Sequence, residues 1–132
     1  MAENGISEEV KTFLAQHIES ILELEVLLLL RADPQRSWTG AQLAKELKID
    51  QTWANEQLAR FASRGILART DAPDPQYRYS PSDPQLDATV AAVADAYATH
   101  RVTIIGLVFS KPISNLKTFA DAFRIRKDKT DG

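Results

Sequence analysis

Cysteine is absent from this chain of 132 residues. Its absence excludes disulfide frameworks, thiolate catalysis and cysteine-based zinc sites. Long apolar runs are also absent, because the longest ones, residues 26–30 and 104–109, are far shorter than the roughly 20 residues of a membrane-spanning helix. The acidic N-terminus, with Glu3, Glu8 and Glu9, lacks the basic and then apolar segments of a secretory signal. We therefore predict a cytoplasmic protein without a membrane span.

Residue patterns for catalysis are scarce. The two histidines, His17 and His100, lie far apart in the sequence, and the five glycines are too scattered to form a phosphate-binding loop. We therefore expect no catalytic residue, no metal site and no cofactor, and we predict that the protein is not an enzyme.

The charge is small overall but unevenly distributed. The formal net charge is −2, and residues 1–32 hold six acidic against two basic side chains, whereas residues 111–132 hold six basic against three acidic ones. Within residues 51–70, Glu56 is the only acidic residue and three arginines are present. A nucleic-acid partner is therefore compatible with this local basic region despite the total charge.

The first half of the chain has helical periodicity. Ser7, Glu8 and Glu9 suit the start of a long first helix that ends before Asp33 and Pro34. Its last part, residues 26–30, is apolar on all sides and is the predicted centre of the core.

A second and a third helix follow after Trp38. Thr39 can cap the second helix, and the apolar stripe of that helix consists of Ala41, Leu43, Ala44 and Leu47. Asp50 can cap the third helix, which runs to about Arg64, and Gly65 suits a left-handed position after it. Residues 66–70 and 77–80 then read as two short strands around a proline-rich and aspartate-rich turn.

The C-terminal part is predicted to be helical from Pro84. Apolar residues and one histidine repeat at heptad spacing in this part, namely Leu86, Val90, Val93, Tyr97, His100, Ile104 and Leu107. Residues 102–109 are rich in β-branched side chains, so a strand is the alternative there, but we favour helix because an added strand has no partner. After Pro112, the apolar face of a last amphipathic helix is formed by Leu116, Phe119, Ala120 and Phe123.

These elements predict a mainly α fold with a small β-hairpin wing. We expect a disordered segment over residues 1–6, a winged helix-turn-helix over residues 7–81, a helical arm for dimerisation or docking over residues 82–127 and a disordered tail over residues 128–132.

The stretch from Trp38 to Asp50, followed by Leu58, Phe61 and residues 64–67, resembles the winged helix-turn-helix of bacterial transcription regulators of the MarR type. The resemblance implies that the third helix reads bases in the major groove of double-stranded DNA. The implied base-reading residues are Gln51, Thr52, Trp53, Asn55 and Gln57. The implied phosphate contacts are Arg60, Arg64, Arg69, Arg78, Lys45 and Lys48. The sequence departs from the family's wing at its tip, where Asp71 and Asp74 would repel phosphate.

Two functions follow as hypotheses. The first is a homodimeric DNA-binding transcription regulator whose dimer interface is formed by the heptad residues, Leu86, Val90, Val93, Tyr97, His100, Ile104 and Leu107, together with Phe119 and Phe123. The second is a winged-helix module that binds a protein through Trp53 or through the Phe119 and Phe123 face of the C-terminal helix.

Overall fold

A computed structural model describes residues 5–110 of the chain, and these form six helices and one antiparallel pair of strands. The helices are α1 (Glu8–His17), α2 (Ile21–Ala32), α3 (Gly40–Leu47), α4 (Gln51–Ser63), α5 (Pro84–Thr99) and α6 (Arg101–Phe109). The strands are β1 (Leu67–Arg69) and β2 (Tyr77–Tyr79), between α4 and α5. The predicted class, mainly helical with a small hairpin wing, is confirmed.

The prediction of one long first helix is wrong, because the chain breaks into two helices at Ile18. Ile18 is extended, with φ −120° and ψ 117°. Ser20 then caps α2 by accepting a hydrogen bond from the backbone N–H of Glu23 at 3.2 Å. The Glu23 carboxylate in turn accepts a hydrogen bond from the backbone N–H of Glu19 at 3.0 Å. These local hydrogen bonds compete with the helical ones and start a new helix.

The helix-turn-helix follows the predicted boundaries closely. Thr39 and Gln42 form a reciprocal capping box at the start of α3, and Lys48 takes a left-handed conformation, with φ 58°, in the turn. Asp50 caps α4 by accepting a hydrogen bond from the backbone N–H of Trp53 at 2.9 Å. The prediction that Ala41 is buried is wrong, because Ala41 is exposed and Gly40 is buried in its place.

The wing is the hairpin of β1 and β2, and one residue of the loop before α3 pairs with its second strand. Tyr77 pairs with Arg69 across the hairpin. On its other side Tyr77 forms two backbone hydrogen bonds with Trp38, at 2.7 and 2.8 Å. Residues opposite one another in a sheet project from the same face. Trp38, Tyr77 and Arg69 therefore share one face of the sheet, on which Trp38 and Tyr77 are buried and Arg69 is exposed.

The core is built around α2, as the apolar stretch predicted, although Leu28 and Leu29 of that stretch are only partly buried. Val26, Leu27 and Leu30 are fully buried, and Leu43 of α3 and Leu58 of α4 are also buried. Ile6 is only 1% exposed and packs in the same core. The predicted disordered segment through residue 6 is therefore too long, since burial of the Ile6 side chain fixes the chain before α1.

The helix from Pro84 is interrupted once. His100, with φ −132° and ψ 48°, ends α5 and precedes α6, so the heptad pattern from Leu86 to Leu107 extends over two helices. Residues 102–109 are helical, which confirms helix over strand there. No helix within residues 5–110 has the length and apolar character to cross a membrane.

Two tyrosines attach α5 to the rest of the domain. Tyr97 donates a hydrogen bond to the Glu25 carboxylate of α2 at 2.8 Å, and Tyr79 of the wing donates one to Asp87 of α5 at 2.9 Å. Burial, and then the hydrogen bond to the neighbouring carboxylate, raise the pKa of both hydroxyls above the ordinary tyrosine value. Both hydroxyls therefore stay protonated and act as donors at neutral pH.

Candidate nucleic-acid interface

The first two turns of α4 present polar side chains to solvent. Gln51, Thr52 and Asn55 are exposed, as predicted for base-reading residues. Glu56 lies on the same exposed face and was not among the predicted site residues. Burial alternates along α4 because Ala54, Leu58 and Phe61 pack inward at helical spacing. The exposed face is therefore fixed in direction by the core beneath it.

Asn55 lies very close to the neighbouring helix. A Cβ atom built on Gly40 of α3 would lie 1.7 Å from the Asn55 Oδ1 atom. A side chain at position 40 would therefore require the Asn55 side chain to move, so the start of α3 and Asn55 of α4 are in close contact.

Trp53 does not project from the domain as a free aromatic ring. It is half-buried and packs against the hydrophobic core. A protein-binding anchor is normally an exposed ring that becomes buried on binding. The described surface therefore gives little support to protein binding through Trp53.

Gln57 and Arg60 are not positioned as predicted. Gln57 is 8% exposed, and its Oε1 atom accepts hydrogen bonds from Nε and Nη2 of Arg60 at 3.1 and 2.8 Å. Arg60 also donates a hydrogen bond to the carbonyl of His17 at 2.9 Å and forms an ion pair with Glu23. The Arg60 guanidinium therefore joins α4 to α1 and α2 and also holds the Gln57 side chain. These contacts do not favour base reading by Gln57 or phosphate binding by Arg60, and both roles stay predictions.

Arg64 has a similar structural role. Its Nη1 atom donates a hydrogen bond to the carbonyl of Gln16 at 3.0 Å and lies 3.3 Å from Nδ1 of His17. The guanidinium is therefore directed to the end of α1, which helical spacing in the sequence could not reveal.

Four other predicted cations remain at the surface. Lys45 and Lys48 are exposed in and after α3, and Arg69 and Arg78 are exposed on the two strands of the wing. Arg36 was missed, although it is exposed and its guanidinium carbon lies 3.5 Å from the centroid of the Trp38 ring. The sequence signal for it was the arginine two residues before a tryptophan, the spacing that puts both on one side of an extended segment.

The turn at the tip of the wing is negatively charged, in contrast to the basic side chains on the strands. Asp71 and Asp74 are both exposed there, as the sequence indicated. The basic side chains of the wing, Arg69 and Arg78, lie on its strands, whereas the carboxylates of the turn between them would repel phosphate.

The heptad residues predicted to form a dimer interface are largely used inside the chain. Val90, Val93 and Ile104 are fully buried and Tyr97 is nearly so. The remaining heptad residues are less buried, with Leu86 and Leu107 half-buried and His100 exposed. The buried members cannot add contact area to a dimer, so the heptad is a packing seam within one chain. Phe119 and Phe123 lie outside the described residues.

Comparisons with known proteins agree on the fold. Neither a protein-family model nor a curated protein sequence matches this chain. Among solved structures, the MarR family transcriptional regulator Sco5413 from Streptomyces coelicolor is similar, with a TM-score of 0.52 and 19% identity over 93% of this chain and 84% of that one. RV1404 from Mycobacterium tuberculosis is similar with a TM-score of 0.50 and 16% identity, over 91% of this chain and 82% of that one. The chain therefore has the winged helix-turn-helix fold of the MarR family regulators.

Proposed function

We propose that the protein is a transcription regulator that binds double-stranded DNA as a homodimer. The observation that carries the proposal is the exposed polar face of α4, where Gln51, Thr52 and Asn55 project from a helix held rigidly by the core. The second helix of a helix-turn-helix places its N-terminal residues against base edges in the major groove. The fold shared with the regulator Sco5413 supports the same assignment.

The chemistry of this face suits base recognition. Asparagine and glutamine side chains form paired hydrogen bonds with adenine, and the threonine methyl group contacts that of thymine. Four exposed cations beside this face are the proposed phosphate contacts, namely Lys45, Lys48, Arg69 and Arg78. The net charge of −2 does not oppose this, because binding depends on the local field of the surface that meets DNA.

Asn55→Ala tests the base-reading role. A preferred site is first selected from a random duplex library with the full chain. We expect Asn55→Ala to weaken binding to that site by about 1 to 3 kcal/mol relative to random duplex. Ser63→Ala, at the exposed far end of the same helix, is the control and should leave this difference unchanged.

Gln57→Ala distinguishes the base-reading role predicted from the sequence from the structural role that the contacts of Gln57 indicate. Because Gln57 accepts its hydrogen bonds from Arg60, the substitution should lower the thermal midpoint and leave base discrimination intact. A loss of discrimination with Gln57→Ala, and none with Asn55→Ala, would contradict the proposed face.

The dimer is proposed to form through α6. Val102 is 83% exposed and Phe109 is 71% exposed, and their spacing of seven residues puts them on one face of the helix. Large apolar side chains at such exposure are typical of an interaction surface. A two-fold dimer also matches the symmetry of paired DNA half-sites.

Light scattering of the full chain should give twice the single-chain mass of 14.7 kDa. Val102→Glu should shift the mass toward one chain, because it puts a charge into the apolar contact. Ala98→Glu, at an exposed position of α5, is the matched control and should leave the dimer intact. A single-chain mass for the unmodified protein at micromolar concentration would refute the homodimer.

A further inference from the structure

We propose that Glu56 is a specificity-determining residue of the DNA-binding face and that it selects cytosine in the recognised sequence. The inference rests on the proposed DNA binding and adds the identity of one base. Glu56 lies in the second turn of α4, and its side chain is exposed. It is the only acidic residue within residues 51–70.

Glu56 lies near the centre of the outward face of α4. Successive residues of an α-helix are about 100° apart around its axis. The inward side of α4 is defined by three fully buried side chains, those of Ala54, Leu58 and Phe61. Thr52 and Glu56, both exposed and one turn apart, lie on the opposite side. Asn55 lies to one side of them, close to Gly40 of α3. Glu56 therefore occupies the part of the helix that would enter the major groove most directly.

The charge of Glu56 is not neutralised by a neighbouring cation. Arg60 lies four residues later on the same helix, at the spacing at which helical ion pairs form. Its guanidinium instead contacts the Glu23 carboxylate and the carbonyl of His17. Within residues 5–110, the Glu56 carboxylate has no hydrogen-bond or ion-pair partner. Both of its oxygens are therefore available as acceptors on the outward face.

A carboxylate distinguishes the bases by the donors on their major-groove edges, because it only accepts hydrogen bonds. Cytosine presents an amino donor at N4 and no acceptor of its own. Guanine presents two acceptors, thymine presents a carbonyl acceptor and a methyl group, and adenine presents an acceptor next to its amino donor. Cytosine is therefore the base whose edge best fits the Glu56 carboxylate.

The same negative charge has a second effect, because a carboxylate near DNA repels the phosphates. This repulsion weakens binding to every sequence, whereas the hydrogen bond to cytosine forms at one position of one sequence. Removing the Glu56 carboxylate should therefore strengthen binding to random DNA and reduce discrimination between bases. A surface glutamate without a role in recognition would leave the discrimination unchanged.

The test is a selection of bound sequences from a random duplex library with the full chain, followed by sequencing. Wild type should prefer cytosine about tenfold at one or more positions of the selected site. Glu56→Ala should lose that preference and bind random-sequence duplex about twofold more tightly. Glu56→Gln keeps the shape of the side chain and should shift the preference toward adenine, with which glutamine pairs.

Glu46→Ala is the matched control, because it removes the same charge from an exposed position of α3. It should keep the base preferences of wild type. Thermal midpoints of all variants establish that they are folded, and we expect little change because both glutamates are exposed.

The outcomes separate this inference from the proposed function. If wild type selects a site and folded Glu56→Ala and Glu56→Gln select the same bases at every position, the cytosine contact is refuted and the proposed function stands. An equal loss of the cytosine preference in Glu46→Ala would show a general charge effect and would also refute the contact. If wild type binds no duplex at all, both the proposed function and this inference fail.

Discussion

Trp38→Ala should destabilise the fold by about 3 to 5 kcal/mol, the range for truncating a fully buried aromatic side chain. Trp38 is only 2% exposed, and it lies where the loop before α3 meets the wing. Its removal leaves a cavity beneath Arg36 and loosens the packing between the hairpin and the core. Urea unfolding followed by far-ultraviolet circular dichroism measures the loss without relying on tryptophan fluorescence.

Trp53→Ala is the matched comparison, because it removes the same side chain from a half-buried position. We expect a loss of about 1 to 2 kcal/mol, since less apolar surface leaves water when Trp53 folds. Equal losses from the two substitutions, or a Trp38→Ala loss below that of Trp53→Ala, would contradict the assignment of Trp38 to the core.

Glu23→Ala should cost about 3 kcal/mol of stability. Glu23 is buried, forms an ion pair with Arg60 and accepts a hydrogen bond from the backbone N–H of Glu19. Removing the carboxylate leaves the Arg60 charge without its partner between α2 and α4. The loss lies at the lower end for a buried pair because about a quarter of the Arg60 side chain remains exposed.

Two variants separate the effect of the Glu23 charge from the effect of its hydrogen-bonding oxygen and from that of a nearby surface substitution. Glu23→Gln keeps an oxygen acceptor and removes the charge, so it should cost less than Glu23→Ala but more than the control. Glu19→Ala, at the exposed position next to the break between α1 and α2, is that control and should change stability by about 0.5 kcal/mol or less. Similar stabilities for Glu23→Ala and Glu19→Ala would show that the ion pair does not hold the helices together.

Local signals in the sequence predicted the helix-turn-helix and the wing well. Thr39 and Asp50 are capping residues whose side chains satisfy backbone N–H groups within three residues, so the chain segment alone identifies them. Gly65, with φ 78°, is also recognisable from the local sequence as the end of α4, because glycine accepts a left-handed backbone without steric cost.

Contacts between distant segments were not predictable in the same way. Arg60 looks like any surface arginine in the sequence, but its partners Glu23 and His17 lie about 40 positions earlier. The heptad spacing predicted a dimer interface, whereas four of its seven residues are buried within one chain. Periodicity cannot show whether the surface that covers an apolar pattern belongs to the same chain or to a second copy. The breaks at Ile18 and His100 arise where local hydrogen bonding or backbone geometry overrides a helical apolar pattern.

The most direct test of the central proposal, DNA binding through the winged helix, is a fluorescence-anisotropy titration of a random-sequence duplex with the full chain at low and at physiological salt. The proposal predicts binding with a dissociation constant of about 10⁻⁴ to 10⁻⁶ M at physiological salt, and tighter binding as the salt concentration falls. Absence of binding at the lowest salt concentration, by a protein that circular dichroism shows to be folded, would contradict it.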